Sequence, residues 1–356
     1  MAAATDDTSA SVAQETAVQR RDRRLRKLLK RVVWVLWTLL ITLILFEAAY
    51  RYQISDYYAT ELNLLNPTDD LEVEGPALLV MGDSFSATQE SYVKQLRDSL
   101  PGYRILNSAV PGTCAIQASY MAPRRFRRFK PKVLVYQIYV GNDLLDVRPP
   151  YNWDTLSLTR NFYWRLTTEF RSLGYVNYKL GQFKGQRDMS NVDTLMKARK
   201  SFSPETYNPR EKMLLQGEPK FIEQSVQLQD LRRMDFGYLL LKVTDVLKHC
   251  RTGECEAFVV VMPHCAQVSE DYLHRMQRIG AVFAEPHLMD AHDYPFYRQL
   301  RQQIVAPNIH YVNPLPALQR NEKTAPMYYF DDPHLSPAGQ AVVAHELLDS
   351  IHKYVR

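Results

Sequence analysis

Ala77-Leu78-Leu79-Val80-Met81-Gly82-Asp83-Ser84-Phe85-Ser86 is the stretch on which the reading of this chain turns. Its first five residues are apolar without interruption, as in a strand buried on both faces. Gly82 permits a sharp turn, and Phe85 and the residues after it can open a helix. Ser84 then sits between strand and helix, its backbone N–H among the donors that a helix start leaves free. Its hydroxyl is a weak nucleophile until a base takes the proton. Ser86 stands where Gly-x-Ser-x-Gly would have its second glycine, which argues against an α/β-hydrolase elbow.

Outward from this stretch the same rhythm recurs. Strands are expected over Ala77–Met81, Tyr103–Asn107, Lys132–Tyr139, Ala257–Met262 and Ile309–Val312. Helices are expected over Gln89–Leu100, Gln117–Phe129, Met234–His249, Asp271–Phe283, Tyr294–Val305 and Pro337–Tyr354, the last with Ser336 as N-cap and Pro337 as first residue. Strands alternating with helices predict a parallel sheet covered on both faces, with its chemistry at the carboxyl ends of the strands. The rhythm breaks between about 147 and 230, a basic, aromatic stretch read as an insertion beside that edge: a lid, a substrate groove, a membrane-facing surface or a structural elaboration.

Each polar motif follows a strand or precedes the last helix. Asp331-Asp332-Pro333-His334 offers an imidazole and two carboxylates. Asp331, three residues before His334, is the expected orienting acid, with Asp332 as its rival. Gly112 in the loop after the second strand, and Asn142 after the third, can supply oxyanion donors beside the Ser84 N–H. His264, after the fourth strand, could touch substrate, but a surface or structural role is expected.

Four ordered blocks, carrying Ser84, Gly112, Asn142 and His334, resemble the SGNH or GDSL hydrolase family. The resemblance spans about 75–146 and 235–356. It implies a flavodoxin-like three-layer α/β/α sandwich with a parallel five-stranded sheet. It implies Ser84 as nucleophile, His334 as base, Asp331 as its partner, and an oxyanion hole from Ser84, Gly112 and Asn142, with no metal or cofactor. Two departures stand out. The first block reads Gly-Asp-Ser-Phe, and the third is Val140-Gly141-Asn142-Asp143, where many members carry Gly two places before the Asn.

The rest of the 356 residues bounds the setting. Residues 1–19 are rich in Ala, Ser and Thr and are expected to be disordered. Residues 1–31 hold eight Lys/Arg against four Asp/Glu and form a basic tail; Val32–Phe46 then runs fifteen residues without a charge. With its flanks this makes a transmembrane signal anchor over 32–50, rather than a cleaved signal peptide or a core helix, with the basic side in the cytoplasm. Residues 51–75 read as a stalk and 76–356 as the hydrolase domain. Residues 147–220 hold thirteen Lys/Arg against seven Asp/Glu, leaving the body mildly acidic, so a nucleic-acid partner is not expected. Cys250 and Cys255 could form a local disulfide or remain two thiols.

The expectation is a membrane-anchored serine esterase or deacylase facing the bacterial periplasm or exterior. It would remove an O-acyl group, acetate among the candidates, from an envelope or extracellular glycan or lipid. An acyltransferase sharing the acyl-enzyme, or a non-catalytic binding or assembly protein, are the alternatives.

Overall fold

The computed structural model describes residues 6–72, 74–88, 90–152, 154–183 and 201–355. It divides into two units, Met1–Ile54 and Ser55–Arg356.

The first unit is one helix, α1 (Asp6–Arg51). Nothing in residues 1–51 is Gly or Pro, so no residue interrupts the backbone ladder. The helix starts at Asp6, and 6–19, expected to be disordered, are helical. Gln19–Arg51 is long and apolar enough to cross a membrane. At about 1.5 Å per residue, Leu28 to Phe46 covers about 29 Å, close to the ~30 Å of a bilayer's hydrocarbon core. Trp34, Trp37 and Leu45 are exposed on it.

The second unit is built on β1 (Ala77–Met81), β2 (Arg104–Asn107), β3 (Val133–Tyr139), β4 (Glu256–Met262) and β5 (Ile309–Val312). All neighbours are parallel, in the order β2-β1-β3-β4-β5. That is the flavodoxin-like order, with its switch point between β1 and β3. β1 and β3 are buried along their whole length, which is why their sequences show no alternation.

Helices α2 (Ala59–Leu65) and α3 (Thr68–Glu72) precede the sheet. α4 (Tyr92–Ser99) links β1 to β2, and α5 (Ala115–Phe129) links β2 to β3. Between β3 and β4 come α6 (Asp143–Val147), α7 (Leu158–Glu169), α8 (Arg171–Phe183), α9 (Pro209–Gly217), α10 (Phe221–Gln227) and α11 (Asp230–Leu247). α12 (Glu270–Arg278) and α13 (Pro295–Gln303) lead to β5; α14 (Leu315–Glu322) and α15 (Pro337–Tyr354) follow it. α5 packs with α11, and α4 with α15. Right-handed crossovers that run one way from β1 to β2 and the other way from β2 onward put these two pairs on opposite faces of the sheet.

Two further expectations change, and one left open is decided. Residues 55–72, read as part of a stalk, belong to the body. Leu62 and Leu65 are buried, and Asn66 exchanges two 2.7 Å hydrogen bonds with the backbone of Asn107. Arg125, 1% exposed, pairs with Asp56. The helix expected to reach Phe283 stops at Arg278, because the chain turns at Gly280 with φ +111°. Cys250 and Cys255 are joined as a disulfide between α11 and β4. Residues 184–200 and Trp153 of the insertion lie outside the described residues.

Candidate active site

The turn after β1 is held from the neighbouring strand. Gln137 of β3 takes the Asp83 N–H at 2.9 Å and the Ser86 hydroxyl at 3.1 Å on its Oε1. A Cβ at Gly82 would lie 2.4 Å from that same oxygen, so Gly82 is required by the Gln137 side chain crossing it. Asp83 accepts the Phe85 N–H at 2.9 Å, closing the turn that presents Ser84.

His334 arrives on a short reversal before α15. Its carbonyl accepts the Tyr329 N–H and the Met327 carbonyl accepts the Ser336 N–H, while Ser336 caps the helix at the Gly339 N–H. A Cβ at Gly339 would lie 2.1 Å from the Met327 carbonyl oxygen, so the reversal packs directly on the helix start.

These two segments meet. His334 Nε2 lies 2.7 Å from Ser84 Oγ, across 250 residues of sequence. His334 Nδ1 is hydrogen-bonded to Asp332 Oδ1, and the His334 backbone N–H donates to the same oxygen at 2.9 Å. The Asn208 amide donates to Asp332 Oδ2 at 2.7 Å. Phe85 lies along the imidazole, ring centres 4.8 Å apart.

The carboxylate on the His334 ring is therefore that of Asp332. Asp331, expected in that role, faces the insertion instead: Oδ1 accepts the Ser203 N–H at 2.8 Å and Oδ2 the Thr206 hydroxyl at 2.6 Å. The reason is local. Asp332 accepts the N–H two residues ahead of it, which turns its carboxylate to the imidazole side, and the preceding residue is left pointing away.

Charge in the site follows from this geometry. Burial disfavours a charged imidazole, but the Asp332 charge and hydrogen bond outweigh it and raise His334 above its ordinary 6.5. Burial likewise pushes against ionised Asp332, yet His334 and the hydrogen bonds from His334 and Asn208 hold it below 3.8. Asp83, beneath the serine turn, is pushed up to about 6 by burial.

The expected oxyanion donors occupy loops after three adjacent strands. Gly112 turns the chain after β2 with φ +70°, a conformation that disfavours a side chain. Asn142 is the N-cap residue of α6, and its Nδ2 donates to Asp146 at 3.0 Å, leaving its second N–H available. A Cβ at Gly141 would fall 2.3 Å from the Tyr139 ring, which accounts for glycine directly before Asn142. His264 is wholly buried rather than at the surface, and its Nδ1 accepts the Ala266 N–H at 3.1 Å.

Sequence reasoning missed what the insertion brings. Asn208 caps α9 and holds Asp332. Arg210 pairs with Asp146 at 2.6 Å, and its guanidinium reaches to 3.4 Å from where a Gly112 Cβ would be. Only the Asn208-Pro209 helix-start pattern was visible, and it gave no hint of a catalytic neighbour. A groove of about 320 Å³ opens beside Gly112, Asp146 and Arg210 and runs along α7 and α8. Among the described residues no cluster of His, Cys, Asp and Glu could hold a metal ion.

The parallel sheet in flavodoxin-like order brings Ser84 and His334 together at the carboxyl ends of its strands, with Gly112 and Asn142 on loops that follow β2 and β3. No protein-family model matches the chain, and no curated protein does. Among solved structures it is similar to a GDSL-like lipase from Bacteroides thetaiotaomicron, 10% identical over 84% of this chain and 98% of that one, TM-score 0.41. It is also similar to an acetyl xylan esterase, 10% identical over 77% and 99%, TM-score 0.37. A third is a psychrotrophic esterase from Pseudoalteromonas sp., 12% identical over 78% and 98%, TM-score 0.35.

Proposed function

We propose that this chain is a membrane-anchored serine hydrolase that removes O-acyl groups through an acyl-enzyme on Ser84. The observation that carries the reading is the 2.7 Å contact between Ser84 Oγ and His334 Nε2, with Asp332 behind the ring. His334 takes the serine proton as Oγ bonds to the ester carbonyl carbon. The Ser84 and Gly112 N–H groups and the free Asn142 N–H receive the oxyanion, each such donor contributing about 3–4 kcal/mol to the transition state. The imidazolium, steadied by Asp332, gives its proton to the leaving alkoxide. Water, deprotonated by His334, then releases the acid and restores Ser84.

α1 serves as the membrane anchor in this reading, with the Arg20–Arg31 cluster cytoplasmic and the body outside. The substrate is then an acylated glycan or lipid at the outer face of the membrane. A periplasmic-reporter fusion at Arg356 that stayed inactive while a cytoplasmic reporter worked would reverse that orientation.

The test of the catalytic reading is hydrolysis of p-nitrophenyl acetate and longer esters by wild type and Ser84→Ala. Turnover should fall by at least 10⁴-fold with an unchanged melt; equal rates in the two would end the proposal. The groove beside Gly112 supports a second reading, in which a sugar hydroxyl replaces water in the last step. Acyl transfer to an added glycan in preference to hydrolysis would favour that reading.

A further inference from the structure

The groove beside the oxyanion loop has a composition that the esterase chemistry does not require. It lies beside Gly112 and along α7 and α8, and its lining includes Tyr163, Trp164, Tyr175 and Tyr178 together with Arg160, Arg171 and Arg210. Its volume, about 320 Å³, lies at the lower end of what small-ligand sites enclose. Asp146 is the one carboxylate among its described lining residues, and it is engaged by Arg210.

The three arginines differ in how they are used. Arg210 is committed to Asp146 at 2.6 Å. Arg171 donates to the carbonyls of Asp146 and Val147 at 2.9 and 2.8 Å, fixing α8 against α6. Arg160 is exposed, makes no ion pair among the described residues and lies 6.0 Å from the Trp164 ring centre. It is a guanidinium held beside an aromatic face with its fork open to a ligand.

These features select among ligand chemistries. A long acyl chain would have to desolvate the Arg160 guanidinium, which has no ion-pair partner among the described residues, and would offer it nothing in return. A neutral sugar would use the aromatic faces but leave Arg160 idle. A sugar acid uses both: the ring's C–H face lies on Trp164 or a tyrosine while its carboxylate meets the guanidinium fork.

We propose that this groove binds the polar side of the substrate, and that the substrate is an acidic polysaccharide built from uronic-acid units, its O-acyl group reaching over Gly112 to Ser84. This deepens the esterase reading above and rests on it. Arg160 is the specificity-determining residue. The positive groove beside an acidic body would also draw the polyanion to the site.

The experiment uses full-length Ser84→Ala protein in detergent micelles, so that ligand is bound and not turned over. Calorimetric titration compares galacturonate and glucuronate-containing tetrasaccharides with neutral cellotetraose. The expected result is binding of at least one acidic tetramer that weakens as salt rises, with cellotetraose at least tenfold weaker. Adding Arg160→Gln should weaken the acidic tetramer at least tenfold, and Arg160→Lys should recover part of the loss; melting curves check that each variant is folded. No affinity for either acidic tetramer, equal affinity for the neutral one, or an unchanged Arg160→Gln would each overturn the proposal. So would displacement of the tetramer by phosphatidylglycerol nanodiscs at lower concentration, which would make the groove a lipid headgroup site. Fluorophosphonate labelling of Ser84 in the wild-type chain separates the two readings. Labelling without tetramer binding removes the groove and keeps the esterase; binding without labelling does the reverse.

Discussion

Replacing Asp332 and Asp331 one at a time by Asn separates two neighbouring carboxylates with opposite duties. Asp332 Oδ1 accepts two donors from His334, and Oδ2 accepts one from Asn208. An amide in that place has one acceptor, not two. With its oxygen toward His334, the amide nitrogen faces the Asn208 donor, and the imidazolium formed in the reaction has no counter-charge. A counter-charge at ~4 Å with an effective dielectric of 20 is worth about 4 kcal/mol, roughly a thousandfold in rate. With its nitrogen toward His334, Nδ1 must become the acceptor. The proton then sits on Nε2, and no base faces Ser84. Asp332→Asn should therefore lower kcat/KM for p-nitrophenyl acetate by about 10³- to 10⁴-fold. It should also move the acid limb of any residual activity to lower pH. His334 works as the neutral base, and Asp332 is what raises its pKa above 6.5, so removing the charge lets it stay neutral at lower pH. Asp331→Asn should keep activity within tenfold and lose about 1–3 kcal/mol of stability, because one of the Ser203 and Thr206 donors is left facing an amide N–H. A thousandfold loss in Asp331→Asn alongside near-normal Asp332→Asn would refute the assignment.

Other expectations follow from the same coordinates. Asn142→Ala should lower kcat about 10²- to 10³-fold with little change in melting temperature; a loss under threefold would remove Asn142 from the oxyanion hole. Gly82→Ala should be insoluble or lose more than about 3 kcal/mol, since its Cβ would stand 2.4 Å from Gln137 Oε1 and 2.9 Å from Gln137 Cβ; a soluble protein with a near-normal melt would show that Gln137 can move aside. Asp83→Asn should stabilise the fold increasingly as pH rises from about 4 to about 6, then by a constant amount of about 3 kcal/mol. The buried carboxyl, raised from 3.8 to about 6, holds its proton more tightly folded than unfolded, so wild type loses stability across that window. A melting difference independent of pH between 4 and 8 would show that Asp83 is not perturbed.

β1, β3 and β4 could be read from sequence because burial on both faces leaves a nearly continuous apolar run, whereas β5 is an edge strand that is only part-buried; Ala77–Met81 and Ile309–Val312 match to the residue. Ser84 and His334 could be read because Ser84 lies three residues after β1 and His334 three before α15, so the fold leaves little freedom in where they arrive. The choice between Asp331 and Asp332 could not. Both sit in one loop at workable spacing, and the outcome depends on which carboxylate captures the His334 N–H. That residues 55–72 join the body has no local signature: besides the few apolar side chains they bury, Asn66 on Asn107 and Arg125 on Asp56 join positions 41 and 69 apart.

The insertion is where sequence and structure part most, and the difference bears on mechanism. A reading from the sheet alone makes it an accessory placed beside a finished site. Yet Asn208 holds Asp332, Arg210 holds Asp146, and Asp146 in turn takes the Asn142 amide. Ser203 and Thr206, from the same stretch, secure Asp331 and so the loop that carries His334. Both the carboxylate on His334 and the Asn142 amide are thus tied to a single short segment, residues 203–210, that belongs to neither β3 nor β4. The strands bring Ser84, Gly112 and Asn142 to a common edge. The segment sets the angles at which the loops meet, tolerances on the order of half an ångström for productive catalysis. Any movement of this segment would loosen base and oxyanion hole together, so catalysis and substrate contact along α7–α9 are expected to be coupled. Substitutions far out on the groove wall should then alter kcat as well as KM.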